Sequence, residues 1–198
     1  IRFFILYMAN WTRIIMASEL RVDKIIPVDG VAADSGNTVR GGGIIQVIQN
    51  STTSEVTSNA NTSFVDTGLN CTIQPKFQTS KILIIVNQFY RITRNRNYGG
   101  GGFQLLRGST VISTGPNNAS GSQPYHVYMT LNSSAGNDLQ MYNRFPITFL
   151  DTPNTLSPIV YKTQMACNAT ADSSQIRAQY QATGENGQSE MICMEISA

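Results

Sequence analysis

The sequence is poor in charge. Asp, Glu, Lys and Arg make up 13% of its 198 residues, against about 25% in an average domain. A helix bundle solubilises its outer faces with Glu, Lys and Arg, and 14 basic plus 12 acidic residues are too few for that. A formal net charge of +2 provides no phosphate-tracking surface, which argues against nucleic-acid binding as the main task. Histidine is scarcer still, with His126 alone. The three cysteines, Cys71, Cys167 and Cys193, lie far apart and form no CxxC pair. An odd, scattered set is neither a disulfide framework nor a zinc site. At most one pair could bridge, and buried free thiols from a reducing cytoplasm are the expectation. No apolar run approaches the ~20 residues of a membrane-spanning helix, so no membrane insertion is expected. The run over residues 1–8 is broken by Arg2 and leads into Trp11, Thr12 and Arg13, which makes a poor signal peptide. Met16-Ala17-Ser18-Glu19 reads as an ordinary translation start. Residues 1–15 are therefore expected to be an upstream extension or a fragment boundary, with a docking peptide as the rival reading.

In place of charge the chain carries Ser, Thr, Asn and Gln, about a third of all residues, alongside 41% hydrophobic residues. That is the composition of a polar, uncharged β surface. Residues 16–43 look unlike the rest. Leu20, Val22, Ile25 and Ile26 are apolar, but Pro27, Gly30 and Gly36 forbid a long regular element, and three glycines follow at 41–43. This segment is expected to be an extended arm and linker whose anchors, Leu20, Val22, Ile25, Ile26 and Pro27, pack on another chain. From Ile44 the punctuation is that of strands. IIQVIQ (44–49) alternates, and in FVDTGLNCTIQP (64–75) Leu69, Cys71 and Ile73 share one face. KILIIVNQFYRI (81–92) is nearly continuous and reads as a strand buried on both sides. FQLLRG and STVIST pair around Gly108-Ser109, and HVYMTL (126–131) alternates. FPITFLD (145–151) and SPIVYKTQMAC (157–167) flank a turn at Thr152-Pro153-Asn154. IRAQYQA (176–182) and EMICMEIS (190–197) close the chain. In the last, Met191, Cys193 and Glu195 face one way and Glu190, Ile192, Met194 and Ile196 the other. Eight to ten strands without a convincing helix predict an all-β fold. The expected form is an antiparallel, jelly-roll-like sandwich over 44–198, preceded by the arm.

Signals for catalysis are few. A Ser-His-Asp triad would need His126, which sits in an alternating strand, and there is no GxSxG elbow. No HxH or HExxH spacing exists. Asp34, Asp138 and Asp172 lie in polar segments without a DxDxDG run, so no metal and no cofactor is expected. Glycoside cleavage needs two facing carboxylates. The acids Glu55, Asp66, Asp138, Asp151, Asp172, Glu185, Glu190 and Glu195 offer no obvious pair, and the chain is not expected to be an enzyme. Seven N-x-S/T triplets are what so polar a composition produces, and none is read as glycosylated.

The most distinctive stretch is YRITRNRNY (90–98) followed by four glycines. A phosphate cradle would need a helix next, and a strand follows. A mobile loop bearing Arg94, Arg96 and Tyr98 suits an anionic glycan better, since guanidinium forks pair with carboxylate or sulfate and an aromatic face stacks on a sugar. Tyr125, His126 and Tyr128 form a second such cluster beside small polar residues.

SELRVDKIIPVDGV followed by GGGIIQVIQ, together with SKILIIVN, LLRGSTVI, FLDTPNTLSPIVYKTQM and the terminal MEI, resembles small tail-fibre-like structural proteins of tailed phages. The resemblance is in particular to those of marine phages infecting cyanobacteria and other bacteria. The resemblance runs from about residue 17 to 198. It implies a virion component, made in the host cytoplasm, whose arm attaches to other virion proteins while its β domain points outward. It also implies trimers. The expected function is host attachment through a cell-surface glycan or protein. A capsid decoration or tail component without a receptor is one alternative and a glycan-degrading enzyme another, although no catalytic motif is present to carry lytic activity.

Overall fold

Strict alternation along the chain builds the molecule. In VDTGLNCTI the side chains of Thr67, Leu69, Cys71 and Ile73 are buried and those between them are exposed, as a strand with one face on a core requires. A computed structural model describes residues 43–59, 63–94, 98–113, 126–130, 139–167 and 175–197. The expected arm, with Leu20, Val22, Ile25, Ile26 and Pro27, lies outside the described residues, as do residues 1–15. Among the described residues every regular element is a strand. In chain order these are β1 (Ile44–Thr52), β2 (Val56–Ser58), β3 (Val65–Ile73), β4 (Lys81–Arg94), β5 (Tyr98–Arg107), β6 (Thr110–Ser113), β7 (His126–Thr130), β8 (Leu139–Asp151), β9 (Ile159–Cys167), β10 (Gln175–Ala178), β11 (Gln181–Ala182), β12 (Glu185–Asn186) and β13 (Ser189–Ile196).

Several of these are parts of one strand. β13 and β10 pair with the same edge of β4, at Lys81 to Asn87 and at Tyr90 to Thr93. β1 and β2 continue one another along β13 and β10. β6 and β7 likewise share one edge of β5. Merged in this way, the chain has eight strand positions. The first pairs with the eighth (β1 with β13), the second with the seventh (β3 with β9), the third with the sixth (β4 with β8) and the fourth with the fifth (β5 with β6 and β7). The fold is therefore one long antiparallel ribbon rolled onto itself. One sheet has the order 1-8-3-6 and the other 2-7-4-5. This is a jelly-roll sandwich, all-β and antiparallel as the sequence predicts.

The core lies between the two sheets. Ile82, Ile84, Val86, Tyr90 and Ile92 from β4 meet Leu69, Ile73, Phe103, Leu105, Tyr161 and Met165 from the second sheet. Phe103 packs between Tyr90, tilted against it at 5.5 Å, and Phe145, stacked on it at 5.4 Å between ring centroids. A polar seam crosses this core. Gln88 donates to Ser189 Oγ (2.8 Å) and accepts from Thr163 Oγ1 (2.9 Å), whose oxygen lies 2.6 Å from Thr67 Oγ1. Such a buried network is stable only when each member finds a partner. Gln179 completes it: its amide, oriented by its partners, accepts from Gln88 and Ser189 and donates to the carbonyls of Thr67 and Ser54. The residues of IRAQYQA do not form one strand. Gln179 takes a positive φ of 48°, and the chain leaves the sheet as the small β11–β12 hairpin before returning as β13. Gly187 lets this excursion fold back, because a Cβ there would sit 2.3 Å from the Phe89 ring.

The strand polarity separates two ends. Gly43, where the sandwich begins, bonds to Ser197 near its finish (3.1 Å). The links 74–80, 108–109 and 152–158 lie at this proximal end. The strand ends that flank residues 59–64, 95–97, 131–138 and 168–174 all lie at the opposite, distal end.

The reading of KILIIVNQFYRI as buried on both sides needs correction. Its inner residues are sealed, but outward-facing Leu83, Ile85 and Phe89 are only half-buried. Across the ladder Val47, Met194, Leu83 and Leu150 form one apolar row on this outer face, with Ile192 and Ile85 beside it. Val47 and Leu150 are 52% and 50% exposed. No described element packs over them.

Candidate functional site

The structure brings part of the first expected cluster to the distal end. Arg94 is the last residue of β4 and pairs with Leu139, and Tyr98 opens β5 and pairs with Thr130. Arg96 lies outside the described residues, and so does Tyr125. His126 opens β7 and pairs with Gly102, four ladder positions from Tyr98, or about 13 Å along the strand. Tyr98 and His126 thus share one ladder without being neighbours.

The glycines behind Tyr98 belong to β5. Residues 99–102 are strand, paired to β7 along their whole length and to β9 from Gly101 onward. The reason is space. A Cβ at Gly101 would lie 2.7 Å from the Ala166 carbonyl oxygen and 2.8 Å from Ile176 Cδ1 of the facing sheet. Glycine there permits the backbone to approach closely.

A separate concentration of arginine and aromatic chemistry lies on the distal half of the first sheet's outer face. The β4–β8 register sets Tyr142 opposite Arg91 and Arg144 opposite Phe89. The β4–β10 register sets Arg177 opposite Arg91 on the other side. The β11–β12 excursion then lays Tyr180 over them. Arg91 is 7% exposed, with its guanidinium carbon 4.0 Å from the Tyr180 ring centroid and 5.7 Å from that of Tyr142. Each such cation–π contact contributes about 0.5–2 kcal/mol, more as water is excluded. Arg177 also approaches Tyr180 (5.7 Å), and Arg144 approaches Phe89 (5.7 Å).

These guanidiniums differ in their polar partners. Arg177 has a partner on each nitrogen: Nη1 donates to Glu55 (3.0 Å), and Nε and Nη2 donate to Gln175 (3.0 and 2.8 Å). Arg144 Nη1 donates to the Gln188 carbonyl (3.0 Å) from an exposed position. Arg91 Nε is buried without a hydrogen-bond partner. Glu55 is the one carboxylate among the described side chains that pairs with this cluster, and it also accepts from Gln181 N (2.8 Å). The result is a face with excess positive charge and an aromatic surface, suited to an anionic ligand.

The described carboxylates have structural partners. Asp151 receives Arg107 Nη1 at 3.1 and 3.0 Å and the Tyr161 hydroxyl at 2.7 Å, closing the proximal end of the core. Burial, then the Asp151 hydrogen bond and charge, push the Tyr161 hydroxyl well above its usual range. Asp66 pairs with Lys162 (2.8 Å) and Gln164 (2.6 Å). Glu195 is fully buried and accepts from Lys76 N, Phe77 N and Gln46. Burial alone would raise its carboxyl; the polar neighbours Ser80 and Gln46 and the two amides outweigh that and hold it below the usual range. Among the described residues no group of acids, histidines and cysteines is placed to hold a metal ion. All three cysteines are free and buried. No protein-family model matches the chain, and no curated protein matches it.

Proposed function

We propose that this chain is a phage virion protein of the tail-fibre or tip type, which attaches the particle to a host-surface glycan. The observation that carries this reading is the polarity of the sandwich. The chain enters at Gly43 at one end, while Arg94, Tyr98 and the arginine–tyrosine face lie toward the other. An anchored module of this polarity would present its binding chemistry away from its attachment. The resemblance of residues 17–198 to tail-fibre-like proteins supports the same placement. The bare apolar row of Val47, Met194, Leu83 and Leu150 supports a homo-oligomer, with a trimer as the expected state, because an exposed apolar row of this kind is suited to packing on a copy of itself. Several linked sites would raise weak glycan affinity by ~10²–10⁴.

The test has two parts. Light scattering on the full chain should give a trimer, and Val47→Lys with Leu150→Lys should convert it to a monomer of unchanged fold. The purified trimer should bind host cells and reduce adsorption of the phage. A monomer that binds no cells but is present in purified particles would overturn attachment in favour of a decoration role.

A further inference from the structure

We infer that the distal outer face formed by Arg91, Arg144, Tyr142 and Tyr180 binds the acid group of an anionic saccharide, a uronate or a sulfate ester. This rests on the attachment reading above and gives it a ligand class and a site that differs from residues 94–98. Charge is the first argument. Three guanidiniums share this face, and Glu55 neutralises only Arg177. The positive charges of Arg91 and Arg144 have no carboxylate among the described side chains. A buried cation without an ion partner is costly, and here it persists with Nε unpartnered beneath Tyr180. An anion bound at the rim would offset that cost. Geometry is the second argument. Arg91 is positioned by ring contacts on two sides, and so holds Tyr142 and Tyr180 in place, with centroids 5.7 Å apart. Tyr142 is 38% exposed, so aromatic surface borders the guanidiniums on this face. Arg144 uses one donor on Gln188 and presents the rest of its fork outward. Arg144 is then the contact group and Arg91 the positioning residue. The other described acid on this face, Glu190, sits opposite Asn87 and accepts from Gln49 (3.3 Å).

The experiment titrates the full chain with polygalacturonate, dextran sulfate and neutral dextran. The expected result is binding to at least one acidic polymer, weakened by salt, and none to dextran. Arg144→Gln should lower that affinity about tenfold, as for loss of one charge-assisted contact. Its melting temperature should match the parent, since the side chain is exposed. Arg91→Met should lower affinity as well, and Lys76→Gln at the proximal end should not. Equal binding of dextran, or acidic-polymer binding untouched by Arg144→Gln, would overturn the site. Cell binding is measured on the same samples. A chain that binds cells but neither acidic polymer defeats the site while attachment stands. A chain that binds the polymer through Arg144 but no cells keeps the site and defeats attachment.

Discussion

Replacing Glu195 by Gln should remove a large share of the fold's stability at neutral pH and almost none in acid. The carboxylate is sealed at the inner face of β13 and accepts from Lys76 N at 2.7 Å, Phe77 N at 3.3 Å and the Gln46 amide. It therefore ties the link 74–80 and the edge strand β1 to the centre of the first sheet. Hydrogen bonds to an ionised group are each worth about 1 kcal/mol more than neutral ones, so three lose about 2–4 kcal/mol when the charge goes. Gln46 adds a conflict. Its Nε2 already donates to the Gln74 carbonyl (2.6 Å), so it cannot turn to accommodate a second amide donor at residue 195. With a urea slope of about 2 kcal/mol per molar, the unfolding midpoint should fall by about 1–2 M at pH 7.

The pH dependence follows from the lowered carboxyl. A group whose folded pKa lies below its unfolded value contributes stability above the unfolded value, near 4.3 for Glu, and loses it as pH falls through the folded one. The gap between parent and Glu195→Gln should therefore be full at pH 7 and shrink steadily below about pH 4. Asp66, also lowered, is present in both proteins and cancels in the difference. A midpoint shift under about 0.3 M at pH 7, or a gap unchanged at pH 3, would refute the reasoning.

Other outcomes follow from single contacts. Gly101→Ala places a Cβ against a fixed carbonyl oxygen and should cost about 1–3 kcal/mol in urea unfolding. Gly43→Ala, with nothing within 4 Å, should leave the midpoint unchanged. Tyr161→Phe removes the hydroxyl that donates to Asp151 and should cost about 1–2 kcal/mol at pH 7. Because the folded tyrosine is held neutral, the parent should lose stability as pH rises past about 10, and the variant should lose less, as alkaline melts would show. None of Cys71, Cys167 and Cys193 is more than 1% exposed. Cys193, hydrogen-bonded to Cys71 and buried, is held above the usual thiol range. A thiol-titrating reagent should find no reactive cysteine in the folded chain and three after denaturation.

Local pattern carried much of the fold. A period of two assigns faces without any neighbour, so the buried set of β3 and the grouping of Met191, Cys193 and Glu195 on one face of β13 were legible residue by residue; that this face is the inner one was not. Scattered cysteines without spacing were read as free, and they are. What failed were inferences that treated a segment alone. The glycines at 99–102 were left out of the strands because glycine usually interrupts one; only the facing Ile176 and the Ala166 carbonyl explain a glycine strand. IRAQYQA looked like one strand because nothing in it announces that Gln179 turns inward to complete a seam built from Gln88, Ser189 and Thr67. The arginine–tyrosine face was missed for the same reason. Arg91, Tyr142, Arg144, Arg177 and Tyr180 come from three distant stretches, and none alone announces a site. The sequence by itself determined that the chain is built of strands and which residues along most of them share a face, because a period of two follows from backbone geometry. Tertiary structure decided which strands meet and in what register, because pairing sums weak contacts along whole strands, and that register alone makes neighbours of residues 91, 142 and 177.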